Sequence, residues 1–376
     1  DNDVDYDLRD YIYYENINTL SSAMTFDIIN TNDFSNMESK EPLAITFITG
    51  TQEEGEIVFV SASNIQPLHT TDTDDDQYFN SPTIVCNGFT QKGGVNRLRY
   101  CGLNSKELIS TWSESGVVYI WDPCPYLERL KQTKRKEQIS PNMETPLAIF
   151  NAHKCEGFAL NWSKNIMGRL ASGDKEGAIY VYSVENTDTP LKFKANDASV
   201  EDLQWSPTED SILASCACDG FIRIWDIRIS SNQSLMQTRA SETELNVISW
   251  STFDPFVISG DDNGMIKIWD MRTLSENCEY AAFFSFHTQP ITSVEWHPSE
   301  FTVFAASGED NIISLWDVSA ERDPESTQED QSLPPQLLFV NRDQAEIKEL
   351  HWHPNYAGLV LSVAYDGFDI FKTINV

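Results

Sequence analysis

The sequence predicts an all-β fold, a β-propeller of seven blades, because nine of its tryptophans form two interleaved ladders. The first ladder consists of Trp162, Trp205, Trp250, Trp296 and Trp352. The second ladder consists of Trp121, Trp225, Trp269 and Trp316, and each of these is followed by aspartate. In the three units that contain both tryptophans, the second follows the first by 19 or 20 residues. A period of about 40 to 45 residues that ends in Trp-Asp is typical of a WD-repeat blade of four antiparallel strands.

The residues before each Trp-Asp pair predict a strand. A turn residue is followed by short alternation of β-branched and aromatic side chains, most clearly in Gly220–Trp225 and Gly264–Trp269. Weaker copies of this pattern bring the number of blades to seven. Their third strands are predicted to end at Val60, Trp121, Tyr182, Trp225, Trp269, Trp316 and Phe371.

The first strand of each blade is predicted to end at the first ladder. Tyr100 replaces tryptophan in the second blade, and Phe26 takes this position in the first blade. The seventh blade has no fourth strand of its own before the sequence ends at Val376. Because a closed ring removes exposed sheet edges, we expect a segment before Phe26 to complete the last blade.

We expect two parts in the chain. Residues 1–20 are predicted to form an acidic, helical segment that packs on the last blade, and residues 21–376 form the propeller with insertions near 62–82, 123–146 and 319–336. The second insertion contains a predicted helix with a basic run, Leu127–Lys136. Such a run is typical of a nuclear-import signal or of a solvated surface helix.

Composition and motifs exclude several classes of function. The sequence has no run of the roughly 18 apolar residues that a membrane span needs, and no phosphate loop, Gly-x-Ser-x-Gly or His-Glu-x-x-His motif. Its seven cysteines are scattered without a Cys-x-x-Cys pair, which is typical of reduced thiols in an intracellular protein. We expect no catalytic residue, no metal and no cofactor. A structural role is expected for His153, His287, His297, His351 and His353.

The chain is strongly acidic, with 58 acidic against 26 basic residues and a formal net charge of -32. Two clusters lie in the insertions: Asp72, Asp74, Asp75 and Asp76 in the first, and Asp323, Glu325, Glu329 and Asp330 before Pro334 and Pro335 in the third. Such runs are typical of solvated segments, and they can also hold a polycationic partner.

Other carboxylates are predicted to share one face of the propeller. In a four-stranded blade, the turn from the second to the third strand emerges beside the connection from the fourth strand to the next blade. The carboxylates predicted on this face are Glu114, Glu156, Asp197, Glu242, Glu244, Asp261, Glu309 and Glu346. A negatively charged face attracts basic partners and accelerates their association, and it disfavours direct binding of nucleic acid.

The chain resembles the glutamate-rich WD-repeat proteins over nearly its whole length. The similarity is densest in residues 157–163, 199–209, 222–228, 246–250, 294–298, 321–325, 336–340 and 348–354. The string from Glu321 to Pro354 is the most specific part, since Trp-Asp pairs occur in propellers of many functions. The tract Asp72–Asp76 departs from the family, because it is short and aspartate-based where the family has a long glutamate run.

The resemblance implies a nuclear and nucleolar chaperone, with shuttling through the cytoplasm, that escorts the newly made large-subunit ribosomal protein L-three to the assembling particle. Together with the charge distribution, it predicts a non-enzymatic, monomeric binding protein that contacts neither nucleic acid nor membranes directly. The acidic face and insertions would shield the basic client, and the shape of the propeller would set specificity.

A wider resemblance to histone-binding propellers of the retinoblastoma-associated type implies a second partner. Those proteins hold a histone helix between an N-terminal helix and an acidic loop that ends in Pro-Pro. This chain is similar in outline, because Leu8, Tyr11, Ile12 and Glu15 are spaced for an amphipathic helix. The alternative is that the N-terminal segment only packs on the last blade.

A third hypothesis concerns two arginines. Arg228 and Arg272 follow Trp-Asp in the pattern Trp-Asp-x-Arg, which resembles substrate receptors of cullin-type ubiquitin ligases and implies an adaptor-binding role. The alternative is that each arginine pairs with a neighbouring carboxylate.

Overall fold

The computed structural model describes residues 11–17, 23–29, 43–53, 55–68, 81–103, 106–132, 144–194, 197–229, 233–276, 278–321 and 333–374. These residues form seven antiparallel sheets of four strands each, which confirms the predicted seven-bladed propeller. Among the described residues, no helix has the length and apolar content that a membrane span requires.

The first three blades follow one another along the chain. Blade one contains β2 (Ala23–Ile28), β3 (Leu43–Thr51), β4 (Glu56–Ile65) and β5 (Thr83–Thr90). Blade two contains β6 (Val95–Leu103), β7 (Lys106–Ser113), β8 (Val118–Trp121) and β9 (Ala148–Phe150). Blade three contains β10 (Ala159–Trp162), β11 (Arg169–Gly173), β12 (Ala178–Ser183) and β13 (Asn186–Lys194).

The next three blades repeat the same order. Blade four contains β14 (Val200–Trp205), β15 (Ile212–Ala217), β16 (Phe221–Asp226) and β17 (Met236–Arg239). Blade five contains β18 (Leu245–Trp250), β19 (Phe256–Asp261), β20 (Met265–Asp270) and β21 (Ala282–Ser285). Blade six contains β22 (Ile291–Trp296), β23 (Val303–Gly308), β24 (Ile312–Asp317) and β25 (Leu337–Asn341).

Blade seven combines the two ends of the described chain. Its inner strands are β26 (Glu349–Trp352), β27 (Leu359–Ala364) and β28 (Gly367–Thr373), and its outer strand is β1 (Tyr11–Ile17). β1 pairs antiparallel with β28, for example Tyr14 with Phe371. The expectation that a segment before Phe26 completes the last blade is therefore confirmed.

The predicted N-terminal helix is wrong for residues 11–17, which form a strand. Tyr11, Tyr13 and Ile17 are buried at odd positions, as expected for an extended segment with one face on a core. The open edge of β28 offers hydrogen bonds that override the helical spacing of the apolar residues. Leu8 lies outside the described residues.

One helix occurs in the described part of the chain, α1 (Cys124–Gln132) in the second insertion. Its apolar face buries Tyr126, Leu127 and Leu130 against blade one, where the Tyr126 ring stacks on Phe59 at 5.0 Å between centroids. The helix predicted over Leu127–Lys136 is thus confirmed for residues 127–132, with one face buried, and it begins three residues earlier than predicted, at Cys124. The basic run that follows lies outside the described residues.

The two tryptophan ladders hold the ring in different ways. In the first ladder, three of the five indole N–H groups donate to a carbonyl of the preceding blade, those of Trp162, Trp205 and Trp352, each at 3.1 Å. In the second ladder, the indole N–H donates to a hydroxyl of the same blade, as from Trp225 to Ser215 at 2.9 Å. The first ladder therefore joins blades, and the second joins strands within a blade.

Four histidines have the expected structural role. His153 contacts Asp174 and Ser172 at 2.7 and 2.6 Å, and His287 forms the equivalent contacts with Asp310 and Ser314. In His297 and His353, Nδ1 accepts backbone N–H groups of the following turn, and burial lowers the pKa of both to about 4.

The cysteines are free thiols, as expected. Cys101 and Cys216 are buried, while Cys124 is exposed on α1. Among the described residues, no group of histidine, cysteine, aspartate or glutamate side chains is arranged to hold a metal ion.

Candidate partner-binding surfaces

One face of the propeller is defined by a repeated backbone hydrogen bond. The turn between the second and third strands donates an N–H to a carbonyl in the connection that enters the same blade. The bonds run from Glu114 to Gly94, Lys175 to Glu156, Cys218 to Ser199, Asp262 to Glu244, Glu309 to Pro290 and Tyr365 to Ala345. We call the surface formed by these turns and connections the acidic face.

Most of the predicted carboxylates on the acidic face are accessible. Glu156 is partly exposed, and the exposed ones are Glu114, Asp197, Glu242, Glu244, Glu309 and Glu346. Because they are distributed over turns of several blades, the negative charge spreads across the face instead of forming one pocket.

Asp261 is buried and is not available to a partner from this face. One oxygen of its carboxylate accepts the backbone N–H groups of Asn263 and Met265 at 3.0 Å, and the other accepts the Ser241 hydroxyl at 2.7 Å. The expectation that Asp261 lies exposed is therefore wrong: this aspartate caps the turn, as short polar side chains do where backbone amides lack other acceptors.

The exposed carboxylates differ in their local partners. Four form ion pairs with neighbouring cations: Glu156 with Lys175 at 2.6 Å, Glu242 with Arg239 at 2.8 Å, Glu346 with Lys348 at 3.2 Å, and Asp197 with Lys194. In the described part of the chain, Glu114, Glu244 and Glu309 have no such cation. Since exposed ion pairs contribute only about 0–1 kcal/mol each, a basic partner can replace them at little cost.

The predicted site in the insertions is only partly described. Asp72, Asp74, Asp75, Asp76, Asp323, Glu325, Glu329 and Asp330 lie outside the described residues. Pro334 and Pro335 are partly exposed in the turn that leads into β25, where Leu337 donates its N–H to the Pro334 carbonyl at 3.1 Å.

Three of the N-terminal residues predicted to contact a partner, Tyr11, Ile12 and Glu15, are part of β1 in blade seven. Tyr11 is 1% exposed and packs edge-on against Phe339 of β25 at 5.1 Å. Burial, with Asp343 nearby, raises the pKa of its phenol. Ile12 and Glu15 remain partly exposed on β1. The Tyr11–Phe339 contact brings β1 beside the strand that follows Pro334 and Pro335.

A buried ionic cluster in the central channel was not predicted. Glu349 of β26 accepts hydrogen bonds from Arg97 and Arg99 of β6, both at 2.6 Å, and from the Thr25 hydroxyl at 2.8 Å. The Phe26 N–H also donates to Glu349, at 3.1 Å, and like Thr25 it belongs to β2. Glu349 therefore links blade seven to blades one and two across the seam where the ring closes.

The charges of this cluster stabilise one another. Burial alone would raise the pKa of Glu349, but Arg99 and Arg97 hold it well below its usual range. Burial likewise opposes a charge on His351, yet Glu295 and Glu349 raise its pKa to about 10. The sequence signal was the alternation Asn96-Arg97-Leu98-Arg99, which places two arginines on the channel side of an inner strand.

The two Trp-Asp-x-Arg arginines lie on the opposite face, where the third strands end. Arg228 donates through Nε and Nη2 to Asp226 at 2.9 and 2.6 Å, and Arg272 forms the same fork with Asp270. Hydrogen bonds from these arginines lower the pKa of Asp226 and of Asp270. The side chains are nevertheless 69% and 66% exposed, and their role in binding a ubiquitin-ligase adaptor stays a prediction.

One protein-family model matches part of the chain. The family described as eukaryotic translation initiation factor eIF2A matches residues 153–322, the span from β10 to β24. This match covers less than half of the chain and reflects its propeller blades.

Curated proteins match much more of the sequence. Protein HEAT STRESS TOLERANT DWD 1 of Arabidopsis thaliana is 38% identical over 80% of this chain and 68% of its own length. Ribosome assembly protein rrb1 of Schizosaccharomyces pombe is 36% identical over 97% of this chain and 80% of its own length. Glutamate-rich WD repeat-containing protein 1 of Dictyostelium discoideum is 34% identical over 99% of this chain and 82% of its own length.

A further relative is less similar in sequence and is named as a histone-binding protein. Histone-binding protein MSI1 of Saccharomyces cerevisiae is 27% identical over 62% of this chain and 59% of its own length.

Proposed function

Because the chain belongs to the family of glutamate-rich WD-repeat proteins, together with ribosome assembly protein rrb1, we propose that it is a non-enzymatic binding protein of ribosome assembly. Its client would be the basic large-subunit ribosomal protein L-three, and the chain would act as a dedicated acidic chaperone. The observation that carries this proposal is the acidic face, where six exposed, negatively charged carboxylates lie on the turns and connections of several blades.

The mechanism is electrostatic shielding. A basic ribosomal protein carries lysines and arginines that bind RNA, and the same groups pair with carboxylates presented at fixed positions on a rigid scaffold. Glu114, Glu244 and Glu309 are the first contacts, since no cation among the described residues neutralises them. The paired carboxylates follow by exchanging Lys175, Arg239 or Lys348 for a cation of the client.

The proposed place of action is the nucleus and nucleolus, where ribosome assembly begins, with shuttling through the cytoplasm where the client is made. The client's basic segments would transfer to ribosomal RNA when the phosphate charge competes with the acidic face.

The test is binding of purified L-three to the full chain in fluorescence anisotropy over a range of salt concentrations. We expect affinity to fall steeply with salt, because exposed charge pairs are screened. The variant Glu114→Gln/Glu244→Gln/Glu309→Gln should bind roughly tenfold more weakly at low salt, from about 0.5 kcal/mol for each lost pair.

The matched control also removes three negative charges, but at positions outside the acidic face. In Glu128→Gln/Asp210→Asn/Glu300→Gln, the three exposed carboxylates lie on α1 and on loops of the opposite face. Equal weakening in both variants would show that only net charge matters. A pull-down that recovers histones and cullin adaptors but never L-three would overturn the proposed client.

A second candidate function is histone binding. It is favoured by the similarity to histone-binding protein MSI1 and by the Tyr11–Phe339 contact, which places β1 beside the strand after Pro334 and Pro335. The variant Asp323→Asn/Glu325→Gln/Glu329→Gln/Asp330→Asn should then weaken binding of histones while L-three still binds the acidic face. Unchanged histone binding in this variant would exclude the site.

A further inference from the structure

The first tryptophan ladder has one exceptional member. Trp162, Trp205, Trp296 and Trp352 are buried, with 3–7% of their surface exposed, whereas Trp250 is partly exposed. Among the described residues, no acceptor lies within hydrogen-bond distance of the Trp250 indole N–H. The indole ring of Trp250 is thus accessible to solvent, whereas the other tryptophan rings of this ladder are packed in the core.

Trp250 lies in a groove between blades four and five, on the face opposite the acidic face. The groove has a volume of about 540 Å³ and an apolar floor that also includes Ile212, Met236 and Met271. Phe253 and Leu235 line it and are 55% and 50% exposed. Large apolar side chains concentrated in a concave surface are typical of protein-binding sites.

The groove continues beyond this face over the outer edge of the propeller. A second cavity of about 570 Å³ shares Leu235 and Met236 with the first and extends to Leu274 and Glu276. The combined surface is elongated, which suits a segment of polypeptide better than a compact small molecule.

The charges around the groove indicate what such a segment carries. Three carboxylates line the first cavity, those of Glu209, Asp226 and Asp254, against the guanidinium of Arg228. The second cavity adds Glu276 and two cations, Lys194 and Arg223, which are already paired with Asp197 and Asp219. Arg228 is already bound by Asp226 through two hydrogen bonds. The two remaining carboxylates therefore favour cations on the partner, next to an apolar side chain that fills the floor.

We propose that this groove, the blade four–five groove, docks a short protein segment in which a large apolar residue is flanked by lysine or arginine. The apolar residue packs on Trp250 between Phe253 and Leu235. A backbone carbonyl of the segment accepts the Trp250 indole N–H, and the flanking cations contact Glu209 and Asp254. The groove and the acidic face lie at opposite ends of the blades, so this second site does not depend on the proposed client.

The test uses random linear peptides displayed on phage and selected against the full chain. The selected peptides are then synthesised, labelled and measured by fluorescence anisotropy. We expect them to share one large apolar residue with basic neighbours. Their affinity should fall roughly tenfold or more for Phe253→Ala and for Leu235→Ala, as expected for truncation of a central apolar contact.

The matched control is Phe301→Ala, because Phe301 is 60% exposed on the equivalent loop of blade six. It should leave the affinity of the peptides unchanged, and Glu209→Gln/Asp254→Asn should weaken it in a salt-dependent manner. Equal thermal unfolding midpoints for the alanine variants and the parent chain would establish that the groove variants are folded.

The proposal is overturned if the selection returns no peptide whose binding responds to Phe253→Ala or Leu235→Ala, or if the selected peptides have acidic flanks. The peptides should also bind Glu114→Gln/Glu244→Gln/Glu309→Gln as they bind the parent chain. Loss of L-three binding in that variant alone would concern the acidic face and leave the groove unaffected.

Discussion

Carboxylates on the acidic face and carboxylates in the central channel are the same chemical group in opposite environments. Glu309 is exposed to solvent, whereas Glu349 is 2% exposed and is held by two arginines, a hydroxyl and a backbone amide. An exposed charge remains available for a partner and contributes little to folding. A buried charge is bound by groups of the same protein and is not available to a partner. Its removal leaves the opposite charges around it without a counter-ion.

The comparison between exposed and buried carboxylates predicts the largest change in the free energy of unfolding for Glu349→Gln. Arg97 and Arg99 are only 21% and 16% exposed, and the loss of the negative charge removes their main counter-ion, so unfolding should require about 3 kcal/mol less free energy. Urea unfolding followed by tryptophan fluorescence measures this change. The matched variant Glu309→Gln should shift the unfolding midpoint by no more than the error of the measurement. Equal shifts in both variants would show that the buried and the exposed carboxylate contribute equally to stability.

A second effect concerns the pH dependence at the seam of blade seven. Burial, with Asp343 and Asp366 nearby, raises the pKa of Asp369 on β28 to about 7. Because this pKa is higher than in the unfolded chain, the stability contributed by the protonated group is fully present below about pH 4 and is lost as pH rises through about 7.

The variant Asp369→Asn should therefore raise the unfolding temperature at about pH 8 but not at about pH 4, with a gain of roughly 2 kcal/mol at the higher pH. Its amide can still accept the hydrogen bond from Asn16. Thermal unfolding at both pH values measures the difference. A gain of the same size at both would mean that ionisation of Asp369 is not the cause.

A smaller effect is expected for Asp261→Ala on the acidic face. The substitution leaves the Asn263 and Met265 amides and the Ser241 hydroxyl without their acceptor, at a cost of about 1–2 kcal/mol. The neighbouring Asp262→Ala removes a partly exposed carboxylate with one side-chain contact, from Asn246. If both variants unfold at the same urea concentration, Asp261 is not the residue that holds the turn.

The smallest effect on folding is expected for the exposed triple variant Glu114→Gln/Glu244→Gln/Glu309→Gln. Its unfolding free energy should stay within about 0.5 kcal/mol of that of the parent chain, because no buried contact is lost and some repulsion is relieved. The same variant should bind L-three roughly tenfold more weakly at low salt, as proposed above. A destabilised variant would show that these carboxylates also support the fold.

The blades could be predicted from the sequence because the two ladders fix the register of two strands in the three units that contain both tryptophans. Trp205 and Trp225, for instance, mark the ends of β14 and β16, and the pattern then extends to the weaker copy that ends near Phe371. In the first blade the third strand was placed too short, because β4 continues past Val60 to Ile65. These signals are local, since the residues that form each one lie within a single blade.

Two errors concern interactions between distant parts of the chain. The segment at Tyr11 fits a helix by spacing, but the open edge of β28, more than 350 residues later, makes it a strand. One further error is local: Asp261 was predicted to contact a partner, but it is Asp261, and not Asp262, that caps the turn. The Glu349 cluster was missed because its partners, Arg97 and Arg99, belong to another blade and meet it only across the channel.

The pairing of β1 with β28 also has a consequence for how the protein is made. During synthesis, β1 emerges before the other strands of the propeller and stays unpaired until β28, more than 350 residues later, has been made. The ring can therefore close only after all seven blades have left the ribosome, and this closure joins strands over a long separation in sequence. Until β28 is available, the nascent propeller has an unpaired strand, β1, and an open seventh blade.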